Sequence, residues 1–262
     1  MDNRPIGIFD SGVGGLSILV EVQKLLPLEN FIFVGDQGNM PYGGKTKEQL
    51  NSYADKIMAF LVSQNVKAVI VACNTATVYA IDFLREKYKM PIIGTVPVIK
   101  TIANITKTKK TAVFSTPATT ESPYLSALIE KFAPNVTVYK IGGTRLEELI
   151  ETGDLENKQI DKILHDSLKP LLKNQVDAIA LGCTHYPFLR AKIEAIVGKK
   201  VQVVDSGGAV ARRTREVLTH NQLLGNKRTD DFYYTTGDIN KFAKAVKSLL
   251  NKSPRNISSI II

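Results

Sequence analysis

The 262-residue sequence has only two cysteines, Cys73 and Cys183, and three histidines. Two cysteines are too few for the disulfide framework of a small secreted domain. A zinc site needs three or four Cys and His ligands in local clusters, and only His185 lies near a cysteine in this sequence. A Cys-x-x-Cys redox turn is absent as well. We therefore expect no metal site, and the sequence has two separate thiols whose roles need an explanation.

Long apolar runs are also missing from the chain. No stretch approaches the roughly 18 residues of a membrane-spanning helix, and the first residues lack the charged-then-apolar run of a signal peptide. We expect no membrane association and a cytoplasmic location, where thiols stay reduced. With 44% hydrophobic and 23% charged residues, the composition is typical of a globular protein. Disorder is expected nowhere before the last ten residues.

Basic residues outnumber acidic ones, and the formal net charge is +9. The lysines are scattered, and the only short clusters, at residues 107–110 and 199–200, both precede predicted strands. Electrostatic binding to nucleic acid needs a concentrated basic footprint, so we expect no nucleic-acid partner. A small acidic substrate would also suit a positive field.

The two cysteines end a repeated pattern. Residues 66–75 (VKAVIVACNT) and 176–185 (VDAIALGCTH) each contain an apolar run of strand length that leads to the cysteine, and the match extends back seven positions without a gap. Each cysteine is expected on the turn at a strand's carboxyl end, where open α/β sheets bind ligands. A cysteine after a buried strand is most often a small core residue. Two of them at equivalent points of similar halves favour a function for both.

Predicted strands and helices alternate, and the second half repeats the first. Residues 6–9 form a strand that leads into the glycine-rich turn 10–15 and a helix with one apolar face, and residues 111–114 begin the same order again. The glycine spacing does not match the dinucleotide fingerprint. Alternation of this kind predicts parallel sheets. We expect an α/β protein in which the strand-end turns of two sheets face one cleft.

Several further elements are predicted from the same periodicity. A long glycine-rich loop at residues 36–44 follows the second strand, and such loops often carry function, although a plain linker is the alternative. The helices that bear on the site are expected at residues 46–64, 77–87, 147–172 with a break at Gly153, and 186–197. A strand is expected at residues 232–235 and a last helix at 240–251.

The chemistry of two thiols leaves alternatives open. A cysteine hydrolase needs one nucleophile and a histidine base; Cys183 and His185 could supply them, but Cys73 would then have no role. Near-equivalent thiols instead favour two acid/base groups at one carbon. A thiol with an ordinary pKa of about 8.5 is a base when ionised and an acid when not. One thiolate would remove the α-proton of an amino acid and the opposite thiol would protonate the other face. Hydrogen-bond donors for the developing charge would be Ser11, Asn74, Thr75, Thr184 and the turn 116–120.

Five motifs together carry a family resemblance. They are, in chain order, residues 9–15 (FDSGVGG), 41–43 (PYG), 72–76 (ACNTA), 182–187 (GCTHYP) and 204–206 (VDS). With these motifs, about residues 5–250 resemble the glutamate racemases of the cofactor-independent aspartate/glutamate racemase superfamily. The resemblance implies interconversion of L- and D-glutamate without pyridoxal phosphate or any other cofactor, in support of bacterial peptidoglycan synthesis. It also implies a homodimer as a common assembly.

The resemblance assigns roles to residues that match the motifs. It makes Cys73 the base toward D-glutamate, with Asp10 as its helper, and Cys183 the base toward L-glutamate, with His185 as its helper. The residues expected to line the substrate site are Ser11, Pro41, Tyr42, Gly43, Asn74, Thr75, Thr119 and Thr184. His165 and His220 match no motif and are expected at the surface.

The resemblance also implies a domain pattern. It predicts two similar flavodoxin-like, doubly wound domains related by a pseudo-two-fold axis, with the active site in the cleft between them. The first domain would comprise residues 1–97 and 206–262, and the second residues 98–205, because the carboxyl-terminal segment completes the first sheet.

One segment departs from the family pattern. Residues 139–146 (YKIGGTRL) stand where an Ala-Cys-Pro segment and an apolar run are usual, and we expect the two glycines to reshape one wall near the cleft. This departure leaves the preference between glutamate and aspartate open, so aspartate racemase or another isomerase of the superfamily is the nearest alternative. A two-lobed protein that only binds an anion is the alternative from another class. The paired thiols argue against it, because binding alone needs no sulfur.

Overall fold

A computed structural model describes residues 1–95 and 98–262. The strands of the described chain are β1 (Ile6–Asp10), β2 (Phe31–Gly35), β3 (Ala68–Val71), β4 (Ile92–Gly94), β5 (Lys110–Ser115), β6 (Thr137–Gly142), β7 (Ala178–Leu181), β8 (Gln202–Val204), β9 (Phe232–Thr235) and β10 (Asn256–Ser259). The helices are α1 (Leu16–Leu25), α2 (Lys47–Ser63), α3 (Asn74–Lys87), α4 (Ile99–Ile105), α5 (Pro117–Thr120), α6 (Pro123–Phe132), α7 (Leu146–Glu151), α8 (Lys158–Lys173), α9 (Arg190–Val197), α10 (Gly207–His220) and α11 (Ile239–Leu250).

The described residues form two compact units, Met1–Thr95 with Gly207–Ile262, and residues 98–206. The first unit contains a six-stranded sheet of order β10-β9-β2-β1-β3-β4, and the second a four-stranded sheet of order β6-β5-β7-β8. Every strand pair in both sheets is parallel. Each unit therefore contains the strand order 2-1-3-4 of flavodoxin-like proteins, and the predicted α/β class with two parallel sheets is confirmed.

The central strands are buried along their whole length. All residues of β1, β3 and β7 are buried, as expected for parallel strands with helices on both faces, whose sequences read as continuous apolar runs. These are the runs that end at Asp10, Cys73 and Cys183. Within the described residues, no helix is long and apolar enough to cross a membrane.

Several elements differ from the predictions. The predicted turn 116–120 contains the short helix α5, for which the Thr116 side chain forms an amino-terminal cap. The helix predicted from residue 186 begins with a 3₁₀ turn, Tyr186–Leu189, before α9. The break at Gly153 is confirmed, since this glycine has φ of +74° and lies between α7 and α8.

The last ten residues, to which the sequence confines any disorder, contain a strand. Strand β10 pairs in parallel with β9 at the edge of the first sheet, and Ile260 and Ile262 pack against the core of the first unit. The family resemblance predicts that the carboxyl-terminal segment completes the first sheet, and β9 and β10 lie in that sheet. Local periodicity did not indicate β10, because isoleucines near a chain end form a strand only where a sheet edge and an apolar surface receive them.

A buried ion pair joins the segments that precede the strands of the first sheet. Lys67, just before β3, lies 2.5 Å from Glu29, and their side chains are 0% and 2% exposed. The Lys67 ammonium also donates to the backbone carbonyl of Asp2, while the second oxygen of Glu29 accepts the N–H of Gly225 at 2.7 Å. The pair therefore links the two stretches of sequence that form this unit, through Asp2 in the first and Gly225 in the second.

Replacing Lys67 by Met is expected to lower the free energy of unfolding by about 3–5 kcal/mol, because the Glu29 carboxylate stays buried without its cation. Denaturant unfolding measures the change. The double variant Lys67→Met/Glu29→Gln should recover most of it. Lys24→Met, which breaks the exposed pair of Lys24 with Glu21, should cost less than about 1 kcal/mol, and equal losses in Lys24→Met and Lys67→Met would contradict this account.

Candidate functional site

The first thiol lies at the start of a helix. Cys73 follows β3 and caps α3, which begins at Asn74, three residues earlier than the sequence predicted. The backbone N–H of Ala76 donates to the Cys73 sulfur at 3.5 Å, and the thiol lies 3.7 Å from Ser11 Oγ. The side chain is 5% exposed. The free amide groups of a helix amino terminus favour negative charge, so the Ala76 N–H offsets part of the cost of ionising this buried thiol.

Asp10 and Ser11 lie beside this thiol because β1 pairs with β3. Asp10 ends β1 and is fully buried, and its Oδ1 accepts the N–H of Ser11 at 2.6 Å and the hydroxyl of Ser11 at 3.2 Å. The sheet order places β2 and β3 on opposite sides of β1. The ends of β1 and β3 thus form the topological switch point, where flavodoxin-like sheets bind ligands.

The environment of Cys73 opposes ionisation. Burial raises the pKa of the Cys73 thiol well above its usual range, and the negative charge of Asp10 raises it further. The N–H of Ala76 and the hydrogen bonds of Ser11 act in the opposite direction. Cys73 is therefore protonated at neutral pH in the free protein.

The side-chain amide of Asn74 is left unsatisfied. Its Oδ1 and Nδ2 are both buried and have no hydrogen-bond partner among residues 1–95 and 98–262. Buried polar groups are almost always paired, and an unpaired one is costly. Such an amide next to the thiol is suited to a ligand that has both donors and acceptors, as an amino acid does. Thr75, the next predicted residue, is also buried.

Asp36 holds the loop that follows β2. It is fully buried and accepts hydrogen bonds at 2.6 Å from the Tyr42 hydroxyl and from Thr236 Oγ1, and further ones from Asn39. Of the predicted loop residues, Tyr42 is buried by this contact, whereas Pro41 is exposed and Gly43 is half-buried. The sequence placed Asp36 in a functional loop but gave it no role, although an acidic residue at a strand end is itself a signal.

The second thiol contacts a histidine, and this histidine contacts a carboxylate. Cys183 follows β7 and is 7% exposed. The Nδ1 of His185 lies 3.6 Å from the Cys183 sulfur, and Nε2 of the same ring lies 2.7 Å from Glu151 Oε1 at the end of α7. Glu151 was missed by sequence reasoning, since it lies 34 residues before His185 and belongs to no motif.

The contacts among Cys183, His185 and Glu151 shift the pKa values of the thiol and of the imidazole. Burial raises the pKa of the Cys183 thiol, while the hydrogen bond and the charge of His185 oppose the rise. Burial by itself would lower the pKa of His185, but the contacts with Cys183 and Glu151 outweigh burial and hold this pKa well above its usual value. His185 is therefore positioned to carry the positive charge that a Cys183 thiolate needs. Cys73, in contrast, has the negative Asp10 beside it.

Residues 139–146, which depart from the family pattern, contact the side chain of Tyr186. The Tyr186 hydroxyl donates to the carbonyl oxygens of Gly143 and Ser115 at 3.1 and 3.2 Å. A Cβ atom at Gly143 would lie 2.6 Å from this hydroxyl oxygen and 3.1 Å from the Phe114 ring. Glycine at 143 is therefore required by close packing directly behind the turn that carries Cys183.

The remaining predicted site residues each belong to one of the two units. Thr119 lies in α5 and is buried, with its Oγ1 accepting from Thr116 Oγ1 at 3.1 Å, and Thr184 is buried beside Cys183. His165 and His220 are exposed, as predicted. Of the predicted set, the first unit brings together Asp10, Ser11, Tyr42, Cys73, Asn74 and Thr75, and the second brings together Cys183, Thr184 and His185. No group of three or more His, Cys, Asp or Glu side chains in the described ranges could hold a metal ion.

A flavodoxin-like sheet and a buried thiol with an ionisable neighbour occur in each unit. This combination defines an α/β protein with two thiol centres suited to acid–base chemistry. Residues 19–214 match the family described as Asp/Glu/Hydantoin racemase, and the chain belongs to this family.

Relatives and solved structures agree with this assignment. A glutamate racemase of Herpetosiphon aurantiacus is 41% identical over 93% of this chain and 97% of its own length. The structure of a Bacillus anthracis glutamate racemase is 28% identical, covers 100% of this chain and 99% of its own, and superposes with a TM-score of 0.89. The Francisella tularensis glutamate racemase, solved in complex with D-glutamate, is 30% identical over 100% of this chain and 98% of its own, with a TM-score of 0.86. An aspartate racemase of Picrophilus torridus is 18% identical over 86% of this chain and 96% of its own, with a TM-score of 0.54, and shares the fold.

Asp10→Asn is expected to lower the pKa of Cys73, because it removes the neighbouring negative charge that raises this pKa. In a Cys183→Ser background Cys73 is the one cysteine left, and the rate of its alkylation by iodoacetamide against pH reports the ionisation of this thiol. The titration should move to lower pH, so a larger fraction of Cys73 is ionised at any pH on the rising part of the curve. Asp82→Asn, an exposed position on α3, is the control with the same charge change and should leave the curve in place. A titration that moves upward in Asp10→Asn would contradict this assignment.

Proposed function

We propose that this protein is a glutamate racemase, an isomerase that interconverts L- and D-glutamate without a cofactor. The observation that carries the proposal is the buried thiol at a strand-end switch point in each unit, with Asp10 beside Cys73 and the His185–Glu151 pair beside Cys183. The glutamate racemase relatives, which match nearly the whole chain, supply the substrate.

The proposed reaction moves one proton at a time. Starting from L-glutamate, the Cys183 thiolate takes the α-proton and becomes a thiol, and the electron pair of the broken C–H bond is delocalised into the α-carboxylate. The Cys73 thiol then gives its proton to the opposite face of the carbon and becomes a thiolate, which completes D-glutamate. The reverse reaction begins at Cys73. An acid and a base are both needed in every turnover.

The differing neighbours give the two thiols different starting states. The His185 cation stabilises a Cys183 thiolate, whereas Asp10 keeps the proton on Cys73. Although burial raises the pKa of both thiols, Cys183 therefore gives up its proton more readily than Cys73. The proposed reaction from L-glutamate begins with ionised Cys183, and product formation reverses the protonation of both thiols. The unsatisfied Asn74 amide, the hydroxyl groups of Ser11 and Thr184, and the first amides of α3 would bind the carboxylate on which negative charge develops.

The physiological setting follows from the same assignment. We propose that the protein acts in the bacterial cytoplasm, where its thiols stay reduced, and supplies D-glutamate for peptidoglycan synthesis. A homodimer is the proposed assembly. Glutamate is preferred over aspartate in this proposal, because the relatives of about 40% identity are glutamate racemases while the aspartate racemase shares only the fold.

Purified, reduced protein in deuterium oxide, without added cofactor, is expected to exchange the α-proton of glutamate and to convert either enantiomer to the racemate. Proton NMR follows the exchange and circular dichroism follows the racemisation. Aspartate in the same assay is expected to react at least about tenfold more slowly, as a substrate that lacks one methylene contact. No exchange with any acidic amino acid would overturn the proposal, and faster exchange with aspartate would overturn the substrate.

Cys73→Ser and Cys183→Ser are each expected to reduce racemisation by about a thousandfold or more, because each removes one of the two proton-transfer groups. Thermal unfolding should stay close to that of the unchanged protein, since serine and cysteine are similar in size. The remaining thiol should still exchange the α-proton of one enantiomer without changing its configuration: L-glutamate in Cys73→Ser and D-glutamate in Cys183→Ser. The opposite pattern would reverse the assigned faces, and full turnover in either variant would refute the two-thiol scheme.

A further inference from the structure

A second carboxylate lies one helical turn before Glu151. Glu147 and Glu151 are four residues apart on α7, so both side chains occupy the same face of this short helix. Glu151 contacts His185 through the 2.7 Å bond. The charge of Glu147 raises the pKa of the Cys183 thiol and of the Tyr186 hydroxyl, and the charge of His185 lowers the pKa of Glu147.

One carboxyl oxygen of Glu147 is left unsatisfied in the free protein. Its Oε2 atom is buried and has no hydrogen-bond partner in the described part of the chain. Burial raises the pKa of Glu147, and the charge of His185 opposes the rise. An unpaired carboxyl oxygen that is removed from water is costly, and buried groups of this kind call for an explanation in a folded protein.

The neighbouring Glu148 does not bear the cost of burying an unpaired carboxyl oxygen. Glu148 is exposed and forms an ion pair with Arg145 at 3.3 Å. Both glutamates lie in the first turn of α7, where negative charge is favourable. A capping role would be served equally by either residue, so it does not explain why one carboxyl oxygen is buried next to Cys183 and His185.

The substrate of the proposed reaction supplies the missing donor. The α-ammonium group is bonded to the same carbon whose proton Cys183 takes, and it offers three N–H donors. A carboxylate acceptor would form a charge-assisted bond with it. We propose that Glu147 is a substrate-positioning residue, whose buried Oε2 accepts a hydrogen bond from the α-ammonium group of the amino acid at Cys183. This inference rests on the proposed racemase function and adds a residue to it.

Glu147→Gln removes the negative charge and keeps the shape of the side chain. The KM for both enantiomers is expected to rise about tenfold or more, in keeping with the loss of a charge-assisted hydrogen bond, while kcat stays within about threefold, as for an interaction made equally in the ground and transition states. Glu147→Leu, which also removes the acceptor, should raise KM further. Glu148→Gln is the matched control and should leave both constants unchanged. The thermal unfolding midpoint should not fall in any of these variants, because an unpaired buried carboxyl has been removed or an exposed one changed.

Glutarate distinguishes contact with the ammonium group from a general effect on the site. It has both carboxylates of glutamate but no α-ammonium, so its inhibition constant should stay the same or decrease in Glu147→Gln while the KM for glutamate rises. Equal weakening of glutamate and glutarate, or a fall in kcat with KM unchanged, would overturn the role of Glu147. Failure of the unchanged protein to racemise glutamate would overturn the proposed function instead, and the two failures are therefore distinguishable.

Discussion

The free energy of ionising a buried thiol is the constraint on which the surroundings of Cys73 and Cys183 depend. Burial in a low-dielectric interior disfavours a thiolate, and both cysteines are almost fully buried at the ends of parallel strands. The residues that surround the thiol differ between the two units. Cys183 has a histidine that is itself held by Glu151, whereas Cys73 has a helix amino terminus and a buried aspartate. Burial raises the pKa of both thiols, but His185 opposes the rise at Cys183 whereas Asp10 adds to it at Cys73.

The strand order explains why the same positions carry the chemistry in both units. Phe9 pairs with Val71, so Asp10 and Cys73 leave adjacent strands at the same edge. In the second sheet Phe114 pairs with Leu181, and the turns after β5 and β7 meet in the same way. Parallel strands bring their carboxyl ends to one edge of a sheet, which makes this edge the natural place for a ligand.

The two ends of the first sheet differ in how polar groups are satisfied. At the amino-terminal ends of the strands, Lys67 and Glu29 are buried but paired, and the backbone of Asp2 and of Gly225 completes their hydrogen bonds. At the carboxyl-terminal ends, Asn74 keeps a buried amide without a partner anywhere in the described chain. The first arrangement stabilises the fold. The second costs stability, and such a cost is typical of functional sites.

Local sequence patterns predicted the α/β class, the positions of most strands and helices, and the two thiols at strand ends with His185 near Cys183, while the family resemblance added Asp10 beside Cys73. These features could be predicted because burial periodicity, turn residues and short motifs are local properties of the chain. Partners that come from far along the chain became known from the fold: Glu151 for His185, Thr236 for Asp36, and the sheet edge that receives β10. The tertiary structure also decided which polar atoms, in Asn74 and Glu147, are buried with no partner in the described residues, since burial depends on every element that packs around a side chain.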